Sequence, residues 1–131
     1  MTVVVDTSAI VYMLLGEPEA SQVGQVLAAD DEPLMSAATF VETMIVAEGR
    51  KGPAGALKAE QIVRESGITV VPHDADVAVA SVDGWRRFGK GRHPAALNLG
   101  DCYAYGLARV RNLPVLCVGG DLARTDVATL P

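Results

Sequence analysis

A run of β-branched residues, Thr2 to Val5, opens the chain and stops at Asp6. The run is continuous rather than alternating, the pattern of a strand covered on both faces of a parallel sheet. The apolar period then changes. Ala9, Ile10, Met13 and Leu14 form a helical stripe that Gly16 and Pro18 break. Pro18 suits the first turn of a second helix, with Val23, Val26 and Leu27 inward. After the acidic turn Asp30-Asp31-Glu32, Pro33 to Met35 reads as a short second strand. A helix then starts between Ser36 and Thr39 and runs to about Arg50, with Phe40, Val41, Met44, Ile45 and Ala47 on its apolar side. Gly52-Pro53 closes it and starts another, to Ser66, with Leu57, Ile62 and Val63 inward. Ile68 to Val71 is a third strand. Asp74 is the N-cap of a helix to about Phe88, in which Trp85 and Phe88 read as core. Asn98 to Asn112 is the last helix and Pro114 to Val118 the fourth strand, with an edge strand expected near Val127.

Strands alternate with helices throughout. That order predicts an α/β protein, a three-layer α/β/α sandwich with a mostly parallel central sheet of four to five strands. No linker, repeat or low-complexity tract divides residues 1–131, so a single domain is expected.

Composition changes the picture in two ways. Half of the residues are hydrophobic, enough for a core without staples, and Cys102 and Cys117 form no CxxC pair, so both read as reduced core thiols. The net charge is −5, so a nucleic-acid role requires a local basic patch or a metal. No apolar run approaches the ~20 residues that span a bilayer. No N-terminal stretch has the tripartite form of a signal peptide, and a cytoplasmic protein without membrane contact is expected.

Asp6 falls where the first strand ends and a helix begins, the rim at which open α/β sheets bind ligands. Glu42, Asp101 and Asp121 are expected at the same rim. Each has a structural explanation on its own: Asp6 as a helix cap, Thr39-to-Glu42 and Asn98-to-Asp101 as capping boxes, and Asp121 as a turn residue after Gly-Gly. Together they are harder to explain in that way. Carboxylates within about 5 Å repel by roughly 3 kcal/mol per pair at an effective dielectric of 20. A cation removes that repulsion, and an all-oxygen ligand set suits Mg²⁺ or Mn²⁺. Such a centre activates water and orients attack on phosphorus, the chemistry of a metal-dependent nuclease. Thr7 and Ser8 lie within one turn of Asp6 and could hold a carboxylate or a water, with Ser36 and Thr125 as weaker candidates.

Val-Val-Val-Asp6-Thr7-Ser8-Ala9, Ala-Thr-Phe-Val-Glu42, Leu-Asn98-Leu-Gly100-Asp101-Cys-Tyr-Ala-Tyr-Gly and Gly-Gly-Asp121-Leu-Ala-Arg-Thr125-Asp126 resemble the PIN domain. More narrowly they are similar to the VapC toxins of bacterial toxin–antitoxin pairs, over essentially the whole chain and in order. The resemblance implies a Mg²⁺- or Mn²⁺-dependent endoribonuclease that cleaves RNA and is neutralised by a cognate VapB-type antitoxin. It matches Asp6, Glu42 and Asp101 to the three core acids and Asp121 to a fourth, more variable one. It also implies a homodimer. The family commonly has an aromatic residue after the fourth acid, where this chain has Leu122. Asp126 is an auxiliary candidate, acting on the metal through water, with a structural role as its stronger reading.

Arg86-Arg87-Phe88-Gly89-Lys90-Gly91-Arg92-His93 is the one strongly basic stretch. Arg86, Arg87, Lys90 and Arg92 are candidate contacts to an RNA backbone. Tyr12, Met13, Leu14, Leu15 and Val23 are candidate apolar surface for a partner. Two other enzyme classes fit less well. A haloacid-dehalogenase-type phosphotransferase needs an Asp where Ser8 stands, and a receiver domain needs an acidic acceptor after strand three, where Pro72-His73 stand. The remaining rival is a PIN-like module that binds RNA or protein without cutting.

Overall fold

The structure is a computed structural model that describes residues 1–131. Five parallel strands form one sheet in the order β3-β2-β1-β4-β5. They are β1 (Val4–Val5), β2 (Leu34–Ser36), β3 (Thr69–Val71), β4 (Val115–Leu116) and β5 (Thr129–Leu130). β1 is central, with Val4 opposite Leu34 on one side and Val115 on the other. The helices are α1 (Thr7–Leu15), α2 (Ala20–Ala29), α3 (Ala37–Glu65), α4 (Ala75–Phe88) and α5 (Leu99–Arg111).

The continuous apolar run of β1 serves two cores. Val3 and Val5 join Ile10, Val23, Leu27, Met35 and Val63 under α1, α2 and α3. Val4 points the other way, to Val77, Leu97, Tyr105, Leu107 and Val115 under α4 and α5. This is the expected three-layer sandwich, and β5 supplies the expected edge strand two residues beyond Val127.

The two helices expected on either side of Gly52-Pro53 form as the two arms of α3, separated at Gly52, whose φ of 73° and ψ of −173° are non-helical and suit glycine, and whose successor is proline. The second helix begins at Ala20 rather than at Pro18. Several side chains differ from their expected side. Val41, Ile45 and Leu57 lie on the apolar stripe of α3, yet they are 56%, 67% and 69% exposed, because no element packs over that part of the helix. Val23 is fully buried, and Met13 and Leu14 pack against the first core, so these three are not free partner surface.

Glycine sets the contact between α4 and α5. Gly84 lies against the ring of Tyr105, and Gly106 lies against the Ser81 hydroxyl and the Val77 carbonyl. A methyl group at either position would collide with its neighbour, so the helices approach more closely than side chains would allow.

Candidate active site

The site is built where β1 and β4 end. Asp6 follows β1, and its N–H donates to the Leu116 carbonyl at 3.0 Å. The parallel ladder thus fixes the backbone of Asp6 before any side chain acts. Asp6 is also the N-cap of α1: the Ser8 N–H and hydroxyl donate to Oδ2 at 3.1 and 2.6 Å. Ser8 Oγ in turn accepts from the Val118 N–H at 2.9 Å, tying the start of α1 to the end of β4.

Glu42 reaches the same rim from α3, and by a route the sequence did not show. The cap of α3 is Ser36, which accepts from the Ala38 N–H at 3.1 Å. Thr39 is therefore already helical and the expected Thr39–Glu42 capping box does not form. Glu42 Oε1 instead accepts from the Thr7 hydroxyl, and Oε2 packs against Gly100 of α5, where a Cβ would overlap the carboxylate. Asp101 does form its expected capping box: the Asn98 N–H donates to Asp101 Oδ2 at 3.0 Å and the Asp101 N–H donates to Asn98 Oδ1 at 2.9 Å. Asp121 stands exposed after the Gly119-Gly120 turn, at the entry to a 3-10 turn over Leu122–Arg124. Leu122 fills a buried slot in the second core, so the departure from an aromatic residue is accommodated by packing.

Three acids share one arrangement. Asp6, Glu42 and Asp101 each commit one carboxylate oxygen to these bonds and leave Asp6 Oδ1, Glu42 Oε2 and Asp101 Oδ1 outside them. The acids also feel one another's charge. Burial pushes the Asp6 carboxyl above its ordinary value, the Ser8 bonds oppose that shift, and the charge of Glu42 adds to it. Burial also pushes Asp101 up to about 6, opposed by its bond to the Asn98 N–H and reinforced by Asp6 and Asp121. No three acidic, histidine or cysteine side chains close into a ready-made ligand cage. Asp6 is the common neighbour, coupled by charge to Glu42 and to Asp101, and a crevice lined by Glu42 and Gly100 opens beside them. Their chemistry, hard oxygens with a free lone pair on each, matches what Mg²⁺ or Mn²⁺ accepts.

Neighbouring thiols are not nucleophiles. Cys102 and Cys117 are buried and free. Burial, with the nearby acids, holds their thiols up at about 11 and about 12, so both stay protonated.

The remaining sequence candidates separate. Arg87 does not face the crevice: it pairs with Asp83 at 3.6 Å and Asp126 at 3.2 Å, and donates to the Tyr105 hydroxyl. Asp126 is committed there as well, to Arg87, to Arg109 at 3.2 Å and to the Tyr105 hydroxyl at 2.8 Å. It has no auxiliary place among the acids. Thr125 closes the 3-10 turn by donating to the Leu122 carbonyl. The Arg92 guanidinium lies 4.2 Å over the Trp85 ring. Arg86 and Lys90 make no ion pair and remain available. Trp85, expected in the core, is 44% exposed, whereas Phe88 does pack against the second core.

One residue near the site gave no strong signal in the sequence. His73 follows β3, and its Nδ1 meets Ser36 Oγ while its Nε2 meets Ser81 Oγ at 3.3 Å. Ser36 Oγ already accepts from Ala38, so its proton is free to donate to Nδ1. Ser81 Oγ donates to the Val77 carbonyl, so it accepts from Nε2–H. The ring is thereby fixed as the neutral Nε2–H tautomer, and burial, opposed by Asp74, lowers its pKa. It meets Tyr103, two residues after Asp101, edge to face at 5.3 Å. Its place at the end of a parallel strand was the one available clue.

The family model described as PIN domain matches residues 3–128. The chain belongs to the PIN-domain family. Within that family, ribonuclease VapC30 of Mycobacterium tuberculosis is 42% identical to this chain over 127 residues, 97% of both. Ribonuclease VapC of Mycolicibacterium smegmatis is also 42% identical, over 97% of this chain and 98% of its own. This PIN domain is thus a VapC-type ribonuclease. Its fold is shared by the crystal structure of VapC20 of Mycobacterium tuberculosis, a toxin that cleaves the sarcin-ricin loop, with a TM-score of 0.77 at 19% identity over 98% of this chain and 99% of that one. It is also shared by VapBC-5, a toxin–antitoxin system of the same organism, at a TM-score of 0.66 and 22% identity over 98% and 97%.

Proposed function

We propose that this ribonuclease is the toxin of a VapBC-type pair, a Mg²⁺- or Mn²⁺-dependent endoribonuclease acting on RNA in the cytoplasm. Asp6, Glu42 and Asp101 would hold the ion, with Asp121 at the outer side. The observation that carries this reading is the shared arrangement of the three acids. In each, one oxygen is anchored by a neighbouring residue's backbone N–H or hydroxyl, and the other accepts no hydrogen bond from the protein. When bound, an ion of this class lowers the pKa of a water and neutralises charge that develops on the attacked phosphate.

The chain's own groups then have definite tasks. Ser8 and Thr7 orient Asp6 and Glu42, so neither carboxylate has to be ordered when substrate arrives. Gly100 leaves the space that Glu42 occupies. Arg86 and Lys90, free of acidic partners, meet the RNA phosphates and offset the repulsion that a chain of net charge −5 exerts on a polyanion.

A VapB-type antitoxin and a second copy of the chain are the proposed partners. Val41 and Ile45, exposed on α3 beside Glu42, are the proposed face for that second copy. No helix is long and apolar enough to cross a membrane. The alternative, a PIN domain that binds without cutting, has no use for three oriented, mutually repelling carboxylates.

The test uses purified chain free of antitoxin. RNA is expected to be cut with Mg²⁺ or Mn²⁺, not with EDTA, and not by Asp6→Asn, whose melting curve should still show a folded protein. Cutting by Asp6→Asn, or cutting unchanged by EDTA, would overturn the mechanism.

A further inference from the structure

Beside the acid crevice, α4 and α5 leave a hollow of about 540 Å³. His73, Val82, Trp85, Lys90, Leu99 and Tyr103 are among its walls. Leu99 and Tyr103 also line the neighbouring hollow that contains Glu42, so the two spaces share a wall formed by the first turns of α5. That same segment carries Asp101. Glu42, across that shared wall, is therefore the candidate metal ligand adjacent to whatever fills the first hollow, while Asp101 lies round the helix from Leu99 and Tyr103.

The lining is unusual for a surface so close to charged chemistry. Val82, Trp85 and Leu99 are 45%, 44% and 69% exposed. Tyr103 is held edge to face by His73, and Arg92 stacks on Trp85, so two aromatic rings are fixed in place. The rim is polar and cationic. Lys90 has no carboxylate partner. Asn98 spends its Oδ1 on the Asp101 N–H, which leaves its NH₂ group to donate.

Flat apolar faces, a hydrogen-bonding edge and an attached anion describe one chemical class. We propose that this hollow takes a single unpaired nucleobase of the RNA, beside the phosphodiester held at the acid crevice, with Lys90 on the adjoining phosphate. The volume falls in the range of small-molecule sites, and stacking on aromatic walls with cations along the backbone is how single strands are held. Charge favours RNA over an apolar side chain of a protein partner. Lys90 lines the hollow and the Arg92 guanidinium lies over the Trp85 ring in its wall, two cations on a chain whose net charge is −5. The inference rests on the ribonuclease reading of the acids and adds to it a place where base identity is sensed.

Trp85 is the chain's sole tryptophan, which gives a direct readout. Its emission is to be followed in wild-type protein with EDTA, so that binding is measured without cleavage. The four nucleoside 5′-monophosphates are titrated in turn, with ribose 5-phosphate as the base-free probe. Nucleotides should change the emission saturably, with one base favoured about tenfold or more over another, and ribose 5-phosphate should not. Ala78→Phe, from an exposed wall position on α4, fills the hollow and should weaken nucleotide binding by about tenfold or more. In a separate cleavage assay with metal, it should flatten the base preference at the cut sites. Leu99→Ser should do the same less strongly, and unchanged melting curves show that both variants fold. Equal responses to ribose 5-phosphate and to nucleotides overturn the proposal, as does nucleotide binding indifferent to Ala78→Phe. Emission that follows protein concentration and ignores nucleotides assigns the hollow to a second copy and overturns it as well. Base binding with no metal-dependent cleavage would instead sink the ribonuclease reading of the acids and leave the hollow's occupant established.

Discussion

Toward its first turn α5 carries Asp101, and along its later turns Tyr105 and Arg109 hold Asp126. The two carboxylates stand in opposite environments. Asp101 has two acidic neighbours and its carboxyl is pushed up to about 6, first by burial and then by those charges. At Asp126 burial also acts upward, but the Tyr105 hydroxyl and the guanidinium groups of Arg109 and Arg87 outweigh it and hold the carboxyl below its ordinary value. One group is arranged for the fold and the other against it. A carboxylate cluster that lowers the stability of its own fold is understandable where something else supplies the missing positive charge.

The largest effect should come from the strained side. Asp101→Asn should lower cleavage at least about 100-fold. The same change should raise the stability of the metal-free protein at pH 7 by ~1–2 kcal/mol, the screened value for a partly exposed group shifted this far. Urea unfolding in EDTA measures it. A variant that loses both activity and stability would show that Asp101 is a structural acid like Asp126.

Mg²⁺ or Mn²⁺ should then act as the missing charge. At a hundred times its dissociation constant, an ion that binds only the folded state adds about 2.7 kcal/mol, and wild type but not Asp101→Asn should show most of that rise in melting temperature.

Asp126→Ala should cost about 1–2 kcal/mol, because the buried Tyr105 hydroxyl and two guanidinium groups lose their acceptor, while cleavage falls no more than a few-fold. The pH dependence sharpens the contrast. A carboxyl raised in the folded state binds its proton more tightly there, so the metal-free protein should lose Asp101-linked stability as pH climbs from the ordinary 3.8 toward about 6. Asp126, lowered in the folded state, contributes stability above 3.8 that disappears as pH falls through its lowered value. Urea midpoints of wild type and the two variants across this range should therefore diverge in opposite directions.

What the sequence disclosed was local. The β-branched run before Asp6, the Asn98–Asp101 capping box and the Gly52-Pro53 break each depend on neighbours a few residues away, and each formed. Contacts between distant segments were hidden. Thr7 and Glu42 are 35 residues apart, and their bond replaces the role that a Thr39–Glu42 capping box had suggested for Glu42, since Ser36 caps the helix. Arg87 looked like a free cation because its partner Asp126 lies at the far end of the chain. Val41, Ile45 and Trp85 have the spacing of buried positions, but spacing cannot say whether another element arrives to cover them. The acids were legible as a set because parallel strands deliver their C-terminal ends to one edge.

The clamp between Asn98 and Asp101 has a consequence for which ions this crevice can tell apart. With Oδ2 engaged by a backbone amide, Asp101 presents Oδ1 as its less encumbered oxygen, and Asp6, engaged at Oδ2 by Ser8, does likewise. Calcium gains much of its affinity by taking both oxygens of a carboxylate, at the larger coordination numbers it prefers. Bound in that way, it would have to share each Oδ2 with the bonds that begin two helices. The smaller ion, content with single oxygens and its own waters, asks for no such sharing.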